Sequence, residues 1–130
     1  MVIDTSALVA LLGLEPEAER LAQAIQDDPV RLISAVTHFE AALVMESRHG
    51  PKGGAELDRL VERADFEIVP VTPEQSTLAR QAWRRYGKGR HKAGLNFGDC
   101  FSYALARQAG EPLLFKGDDF SRTDIAAMSY

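Results

Sequence analysis

The sequence predicts an α/β domain in which helices flank both faces of a mostly parallel central sheet. Short apolar runs typical of strands alternate along the chain with longer segments of helical periodicity, which is the pattern of a parallel sheet. The composition agrees, because 45% of the 130 residues are apolar and 26% are charged, as in a globular domain with its own core. No repeat, low-complexity tract or linker divides the chain. We therefore expect one domain spanning residues 1–130.

Two predicted strands and three predicted helices make up the first fifty residues. In chain order they are the strand 1–4, the helix 5–12, a helix from about residue 16 to residue 26, the strand 30–34 and the helix 36–50. Thr5 or Ser6 can cap the start of the first helix. Pro16 is tolerated in the first turn of the second helix, and Gly50 is suited to end the third.

The second half of the chain contains three more predicted helices and two more strands. In chain order they are the helix 53–64, the strand 66–71, the helix 73–87, the helix 98–110 and the strand 112–115. Leu57, Leu60 and Val61 form one apolar face of the first of these helices. Pro73 is a typical first residue for the helix that it opens. A basic segment that contains glycines separates the last two helices.

The single cysteine and the lack of long apolar runs exclude several classes of protein. Cys100 alone cannot form an intrachain disulfide or a cysteine-based zinc cluster. No nucleophile motif surrounds it, so we expect it to be buried, and we expect Phe97 and Phe101 in the core as well. No apolar run approaches the ~18 residues of a membrane span, and no signal peptide is recognisable. We therefore expect a cytoplasmic protein without membrane attachment.

Charge is distributed unevenly along the chain. The net charge is -4, yet the segment 75–98 contains six cations and no acid. The six are Arg80, Arg84, Arg85, Lys88, Arg90 and Lys92. This segregation permits an anionic ligand to bind at one face of a protein that is acidic overall.

Five carboxylates lie where the predicted sheet would gather them. Asp4 ends the first strand, and Asp118 and Asp119 follow the last strand. Glu40 is expected in the first turn of the helix after the second strand, and Asp99 begins a helix that follows a loop. In a parallel sheet the ends of the strands and the starts of the following helices meet at one edge, where ligands bind. We therefore expect one acidic cluster.

Each acid also has an ordinary structural explanation. Glu40 has the spacing of a capping box with Thr37. Asp4 can cap the helix that follows it, and the macrodipole favours Asp99 near a helix N-terminus. The two acids after the last strand can be turn residues. Their joint placement at one edge favours a shared site, because proteins seldom gather carboxylates without a cation that offsets their repulsion.

A site of four carboxylates without an obligatory histidine is typical of hard divalent cations. Mg²⁺ and Mn²⁺ take oxygen ligands, usually one or two carboxylates together with water and phosphate oxygens. Such an ion activates a water and stabilises the oxyanions of an in-line phosphodiester displacement. The set of acids therefore indicates metal-dependent phosphodiester hydrolysis.

Four motifs spread over nearly the whole chain carry a family resemblance. They are VIDTSALVALL at 2–12, THFE at 37–40, LNFGDCFSYALA at 95–106 and PLLFKGDDF at 112–120. In these motifs the chain resembles the PIN-domain ribonucleases and, within them, the VapC toxins of bacterial toxin-antitoxin modules. The resemblance implies a parallel sheet between helices, dependence on Mg²⁺ or Mn²⁺, and endonucleolytic cleavage of RNA. It also implies a homodimer and inhibition by a cognate VapB-type antitoxin.

The same resemblance assigns roles to the acids. Asp4, Glu40 and Asp99 fall on the family's acidic positions, and Asp119 is favoured over Asp118 for the fourth. Our hypothesis is that Asp4 and Asp99 bind the metal directly, while Asp119 or Asp118 binds it or holds its water. Glu40 then completes the shell through water or accepts the proton of the attacking water as a general base.

Two further groups of residues are candidates for supporting roles. The donors that could orient the carboxylates are Thr5, Ser6 and Asn96, for which ordinary helix capping is the alternative. The cations that could hold RNA phosphates are Arg84, Arg85, Lys88, Arg90 and Lys92, with Tyr86 or Trp83 available for base stacking. The alternative for this segment is a solvated loop whose arginines favour a helix C-terminus, with Trp83 in the core or a dimer interface.

Two other classes of function use the same residues. A metal-dependent phosphatase or DNA nuclease would need the same acids, and only substrate tests separate it from a ribonuclease. A catalytically silent protein that only binds its antitoxin is the other alternative. The complete acidic set argues against that alternative, because a degenerate site would tolerate the loss of a ligand.

Overall fold

Four parallel strands form the central sheet of the computed structural model, which describes residues 1–130. The strands are β1 (Val2–Ile3), β2 (Leu32–Ser34), β3 (Glu67–Val69) and β4 (Leu113–Leu114). Their order in the sheet is β3-β2-β1-β4, and every pairing is parallel. The predicted mostly parallel sheet is therefore confirmed, and β1 lies inside it between β2 and β4.

Six helices connect and cover the strands. They are α1 (Thr5–Leu12), α2 (Ala18–Asp27), α3 (Ala35–His49), α4 (Pro51–Arg63), α5 (Pro73–Tyr86) and α6 (Phe97–Ala109). A short 3₁₀ turn follows β4 at Phe120–Arg122. None of the helices is both long enough and apolar enough to span a membrane.

The two faces of the sheet pack against different helices. Successive strand residues point to opposite faces, so Val2 and Ile3 belong to different cores. Ile3 and its neighbour Leu114 pack with apolar residues of α1 to α4. Val2 and Leu113 pack with residues of α5 and α6. Helices therefore flank both faces, as the sequence predicts.

Two helix starts differ from the sequence-based expectation. Pro16 lies before α2, which begins at Ala18, because the preceding turn is closed by a hydrogen bond from the Ala18 amide to the Glu15 carbonyl. Helix α4 begins at Pro51 and not at residue 53. Proline suits that first position, since its fixed φ matches the helix and its missing N–H would have no helical partner.

The sheet places the end of β1 at the centre of the carboxyl edge. The backbone N–H of Asp4 donates to the Leu114 carbonyl at 2.9 Å, which extends the β1–β4 pairing by one residue. The chain that leaves β4 therefore runs beside the start of α1. This arrangement brings the segment with Asp118 and Asp119 to the same edge as Asp4.

Candidate active site

Asp4 is the buried centre of the candidate site. It follows β1 directly, caps α1 and is only 2% exposed. One carboxylate oxygen, Oδ2, accepts from the backbone N–H of Ser6 at 2.9 Å and from the Ser6 hydroxyl at 2.7 Å. The other oxygen, Oδ1, accepts from the hydroxyl of Ser102 at 2.6 Å. Three donors from two helices therefore fix the orientation of this carboxylate.

A chain of buried hydroxyls supports Asp4 from α6 and α3. Ser102 and Thr37 are fully buried, and their hydroxyl oxygens are 3.2 Å apart. Because Ser102 gives its single proton to Asp4, Thr37 is the donor to Ser102. Neither residue is among the donors that the sequence predicts for this role. The available signal was spacing: Ser102 lies three residues after Asp99, on the same face of the helix.

Glu40 reaches the site from α3. The helix begins at Ala35, so Glu40 lies in its second turn, and the expectation of the first turn is wrong. Its Oε1 accepts from the Thr5 hydroxyl at 2.6 Å. Its Oε2 lies against Gly98, where an added Cβ would stand only 2.2 Å from it. The carboxylate of Glu40 is therefore wedged between the starts of α1 and α6.

The proposed capping box between Thr37 and Glu40 is wrong. The helix is capped by Ser34, whose hydroxyl accepts from the Val36 amide at 3.2 Å. Thr37 is inside the helix and turns its hydroxyl to Ser102. The carboxylate of Glu40 is thus free of the capping role and available at the cluster.

Asp99 is held at the start of α6 by a reciprocal cap. Its Oδ2 accepts from the Asn96 backbone N–H at 2.9 Å, and the Asn96 side chain accepts from the Asp99 N–H at 2.8 Å. Burial raises the pKa of Asp99 to about 7, and the charges of Asp4, Asp119 and Glu40 add to the rise against the opposing Asn96 hydrogen bond. Three other carboxylates are therefore close enough to Asp99 to repel its charge.

The two adjacent acids after β4 differ in their relation to this cluster. Both are exposed, and Asp119 directly precedes the 3₁₀ turn. Asp119 contributes to the raised pKa of Asp99, whereas Asp118 is not among its causes. Asp119 therefore lies nearer to the electrostatic centre of the site.

No side-chain cation neutralises the cluster. None of the ion pairs in the structure involves Asp4, Glu40, Asp99 or Asp119. Lys116 lies on the same segment as Asp119, but its ammonium group pairs with Glu15 and Glu17. Negative charge thus accumulates at this edge without a partner in the protein.

The residues fit a divalent cation by their chemistry, although they are not preassembled around one. The structure contains no group of three His, Cys, Asp or Glu side chains positioned to hold one ion. The carboxylates of Asp4, Glu40 and Asp99 each accept hydrogen bonds from different donors of the protein. A hard cation such as Mg²⁺ needs only one or two carboxylates, because waters and phosphate oxygens complete its octahedron. An all-oxygen set with uncompensated charge meets that requirement.

The basic segment is only partly available to a ligand. Arg85 pairs with Asp124 at 3.2 Å and lies 4.9 Å from the Tyr86 ring, which is buried. Four of the five predicted RNA-binding cations are exposed and form no ion pair, namely Arg84, Lys88, Arg90 and Lys92. Arg90 lies over the ring of Trp83 at 4.4 Å.

Two aromatic residues are more exposed than the sequence suggests. Phe97 is 76% exposed, so its expected place in the core is wrong. Trp83 is 46% exposed and also lies outside the core, while its place in a dimer interface or against a base stays a prediction. Phe97 is the first residue of α6, and the buried residues of the helix begin after it. Cys100 is buried as expected, and burial together with Asp99 raises the pKa of its thiol to about 11. A thiol with that pKa is not a nucleophile at neutral pH.

Known proteins are similar to this chain over nearly its full length. The sequence model described as PIN domain matches residues 1–126. Ribonuclease VapC of Mycolicibacterium smegmatis is 59% identical over 128 residues, which cover 98% of this chain and 99% of that protein.

Solved structures share the same fold. The VapC20 toxin of Mycobacterium tuberculosis, described as cleaving the sarcin-ricin loop, superposes with a TM-score of 0.78 at 20% identity over 96% of this chain and 95% of that chain. A toxin-antitoxin complex from Klebsiella pneumoniae gives a TM-score of 0.72 at 20% identity, with 99% of this chain and 97% of that chain covered. At these identities the likeness concerns the fold alone.

The raised pKa of Asp99 predicts a pH dependence of stability in EDTA. The carboxyl binds a proton more tightly in the folded state, where its pKa is about 7, than at its ordinary value of 3.8. Its contribution to the free energy of unfolding is therefore fully present below about pH 3.8 and is lost as the pH rises through about 7. In urea unfolding, the free energy of unfolding should fall less between pH 5 and pH 8 for Asp99→Asn than for the wild type.

The matched control for that comparison is Asp118→Asn. It removes an exposed carboxylate that does not contribute to the raised pKa of Asp99. Its loss of stability between the two pH values should equal that of the wild type. Equal losses for wild type and Asp99→Asn would contradict the electrostatic description of the cluster.

Proposed function

We propose that this chain, which belongs to the PIN domain family and within it to the VapC ribonucleases, is a metal-dependent endoribonuclease. It would act as the toxin of a VapBC-type module. The main support for this proposal is that Asp4, Glu40, Asp99 and Asp119 lie together and no Lys or Arg side chain pairs with them. The 59% identical relative over nearly the full length supports the ribonuclease activity.

The ion of this proposal is Mg²⁺ or Mn²⁺. Asp4 and Asp99 would bind it directly, and Asp119 would bind it or hold one of its waters. The ion would supply the positive charge that lowers the pKa of a water and stabilises the oxyanions of phosphodiester hydrolysis. The hydroxyls of Ser6 and Ser102 orient Asp4 for this role through the contacts described above.

Glu40 is the proposed acceptor of the proton from the attacking water. Thr5 donates to its Oε1, while its Oε2 accepts no hydrogen bond from the protein. Both lone pairs of Oε2 are therefore open to the water, whereas Oε1 already accepts one hydrogen bond. Gly98 allows this oxygen to lie beside the turn that carries Asp99.

The proposed partners are an RNA substrate, an antitoxin and a second copy of the chain. The substrate is RNA, and the activity is inhibited by a cognate VapB-type antitoxin in the cytoplasm. The similar fold in a toxin-antitoxin complex supports an antitoxin partner. We further propose that residues 1–130 act as one nuclease domain and that two copies form a homodimer. A phosphatase or DNA nuclease would use the same acids, so single-stranded DNA is assayed beside RNA under the same conditions.

Cleavage of total bacterial RNA by purified, antitoxin-free protein tests this function. Discrete cleavage is expected with Mg²⁺ or Mn²⁺, and none is expected in EDTA. Asp99→Asn and Asp119→Asn should lower the rate by more than about 100-fold, because each weakens metal binding. Asp118→Asn is the matched control and should retain activity within a few-fold, roughly the effect of an exposed neighbour.

Several outcomes would contradict the proposal. Intact RNA with correctly folded protein and either metal would overturn the ribonuclease. Cleavage of single-stranded DNA at a similar rate would favour a broader nuclease. A full loss of activity in Asp118→Asn with an active Asp119→Asn would exchange the proposed roles of these two residues.

The contact between Gly98 and Glu40 gives a second test. In Gly98→Ala the added Cβ would meet the Glu40 carboxylate at 2.2 to 2.5 Å and push it from its contact with Thr5. Alanine favours helix more than glycine, by roughly 1 kcal/mol, so thermal stability should be retained while cleavage falls. The rate of RNA cleavage and the melting temperature are measured together. Unchanged cleavage would show that the position of Glu40 is not important for the reaction.

A further inference from the structure

A groove of about 520 Å³ lies between α5 and α6. Its lining includes Trp83, Phe97 and Phe101 as aromatic walls and Arg80, Lys88 and Asn96 as polar groups. The volume falls within the range of pockets that bind small molecules, and no acid lines the groove. The groove is thus an apolar slot with a positive rim.

The groove and the cluster share one turn of α6. Asn96 lines the groove and forms the reciprocal cap with Asp99. Gly98, between Phe97 and Asp99, lies against the carboxylate of Glu40. The groove and the cluster therefore lie on two sides of the same helix start, roughly one helix width of about 10 Å apart.

The aromatic walls are open to solvent. Phe97 is 76% exposed, and its ring centroid lies 5.2 Å from that of Phe101 at a tilt of 57°. Trp83 is 46% exposed and has the guanidinium of Arg90 on one side. Exposed aromatic faces beside cations are the elements with which proteins stack unpaired bases.

The cations of the rim are free to bind an anion. Arg80 and Lys88 are exposed, and neither forms an ion pair. They lie in the segment 75–98, which contains no acid. If a second copy of the chain docked here about a two-fold axis, the cations of one copy would lie close to the same cations of the other, which is unfavourable. Charge complementarity therefore favours a polyanion as the occupant.

We propose that this groove binds an unpaired base of the RNA strand near the cleaved phosphate. The base stacks on Trp83 and Phe97, while Arg80 and Lys88 contact the neighbouring phosphates. The groove would then select single-stranded sites and contribute to the choice of base. This inference rests on the proposed ribonuclease function, but its test does not require cleavage.

The single tryptophan makes the test direct. Trp83 is the only tryptophan in the chain, so its emission reports on the groove alone. A short single-stranded RNA of mixed sequence is titrated into the protein in EDTA, beside an abasic ribose-phosphate oligomer of equal length. The RNA should quench the emission saturably, and the abasic oligomer should not. Phe97→Ala should weaken binding roughly 5- to 150-fold, the range expected from the loss of one stacking contact.

Two control variants isolate the role of stacking. Phe97→Tyr keeps an aromatic ring and should bind like the wild type. Phe39→Ala removes an aromatic side chain that is 63% exposed and lies next to Glu40, outside the groove. It should leave the affinity for RNA unchanged. Equal weakening in Phe39→Ala, or equal quenching by the abasic oligomer, would overturn the base site.

The remaining outcomes separate this inference from the proposed function. RNA cleavage without any change in Trp83 emission would overturn the groove and leave the ribonuclease standing. Base-dependent quenching by RNA in a protein that does not cleave would overturn the ribonuclease and support the groove. Light scattering measures whether the protein is a dimer. If Phe97→Ala converts a dimer to a monomer and no base-dependent quenching is seen, the groove is an interface between two copies of the chain and not a base site.

Discussion

Repulsion among four carboxylates is the constraint on which the site depends. Asp4 is buried, and Asp99 has a raised pKa because burial and three neighbouring acids oppose its charge. A protein that needed only helix caps would not gather Glu40 and Asp119 at the same place. The stability lost to this repulsion is the reason to expect a cation as part of the working molecule, since a divalent ion converts the unfavourable cluster into a set of ligands.

The fold supplies the cluster from separate parts of the chain. The inner strand β1 carries Asp4 to the carboxyl edge, and the neighbouring strand β4 leads to Asp119. Helix α3 contributes Glu40 and helix α6 contributes Asp99, with Ser102 tying α6 to the end of β1. Because two separate cores hold these helices on opposite faces of the sheet, the acids meet only when the whole domain is folded. The site therefore depends on the sheet order and not on any local motif.

The local sequence pattern predicts the helices and strands, but it does not predict the contacts between segments that are far apart in the chain. Alternating strands and helices predicted the sheet, and Pro73 predicted the start of α5. The spacing of Thr37 and Glu40 suggested a capping box, but Thr37 instead contacts Ser102, which is 65 residues away. The exposure of Phe97 was missed for a similar reason. Whether a helix start is covered depends on which distant segments pack there, and periodicity does not report that.

Calorimetric titration of Mn²⁺ into the metal-free protein at pH 8 tests the central claim most directly. The account predicts saturable binding to the wild type, and loss of that binding in Asp99→Asn, because the variant removes one of the proposed ligands and much of the repulsion that favours the cation. Asp118→Asn should bind like the wild type. Equal Mn²⁺ binding by the wild type and Asp99→Asn, or no binding by either, would contradict the claim that this carboxylate cluster is a metal site.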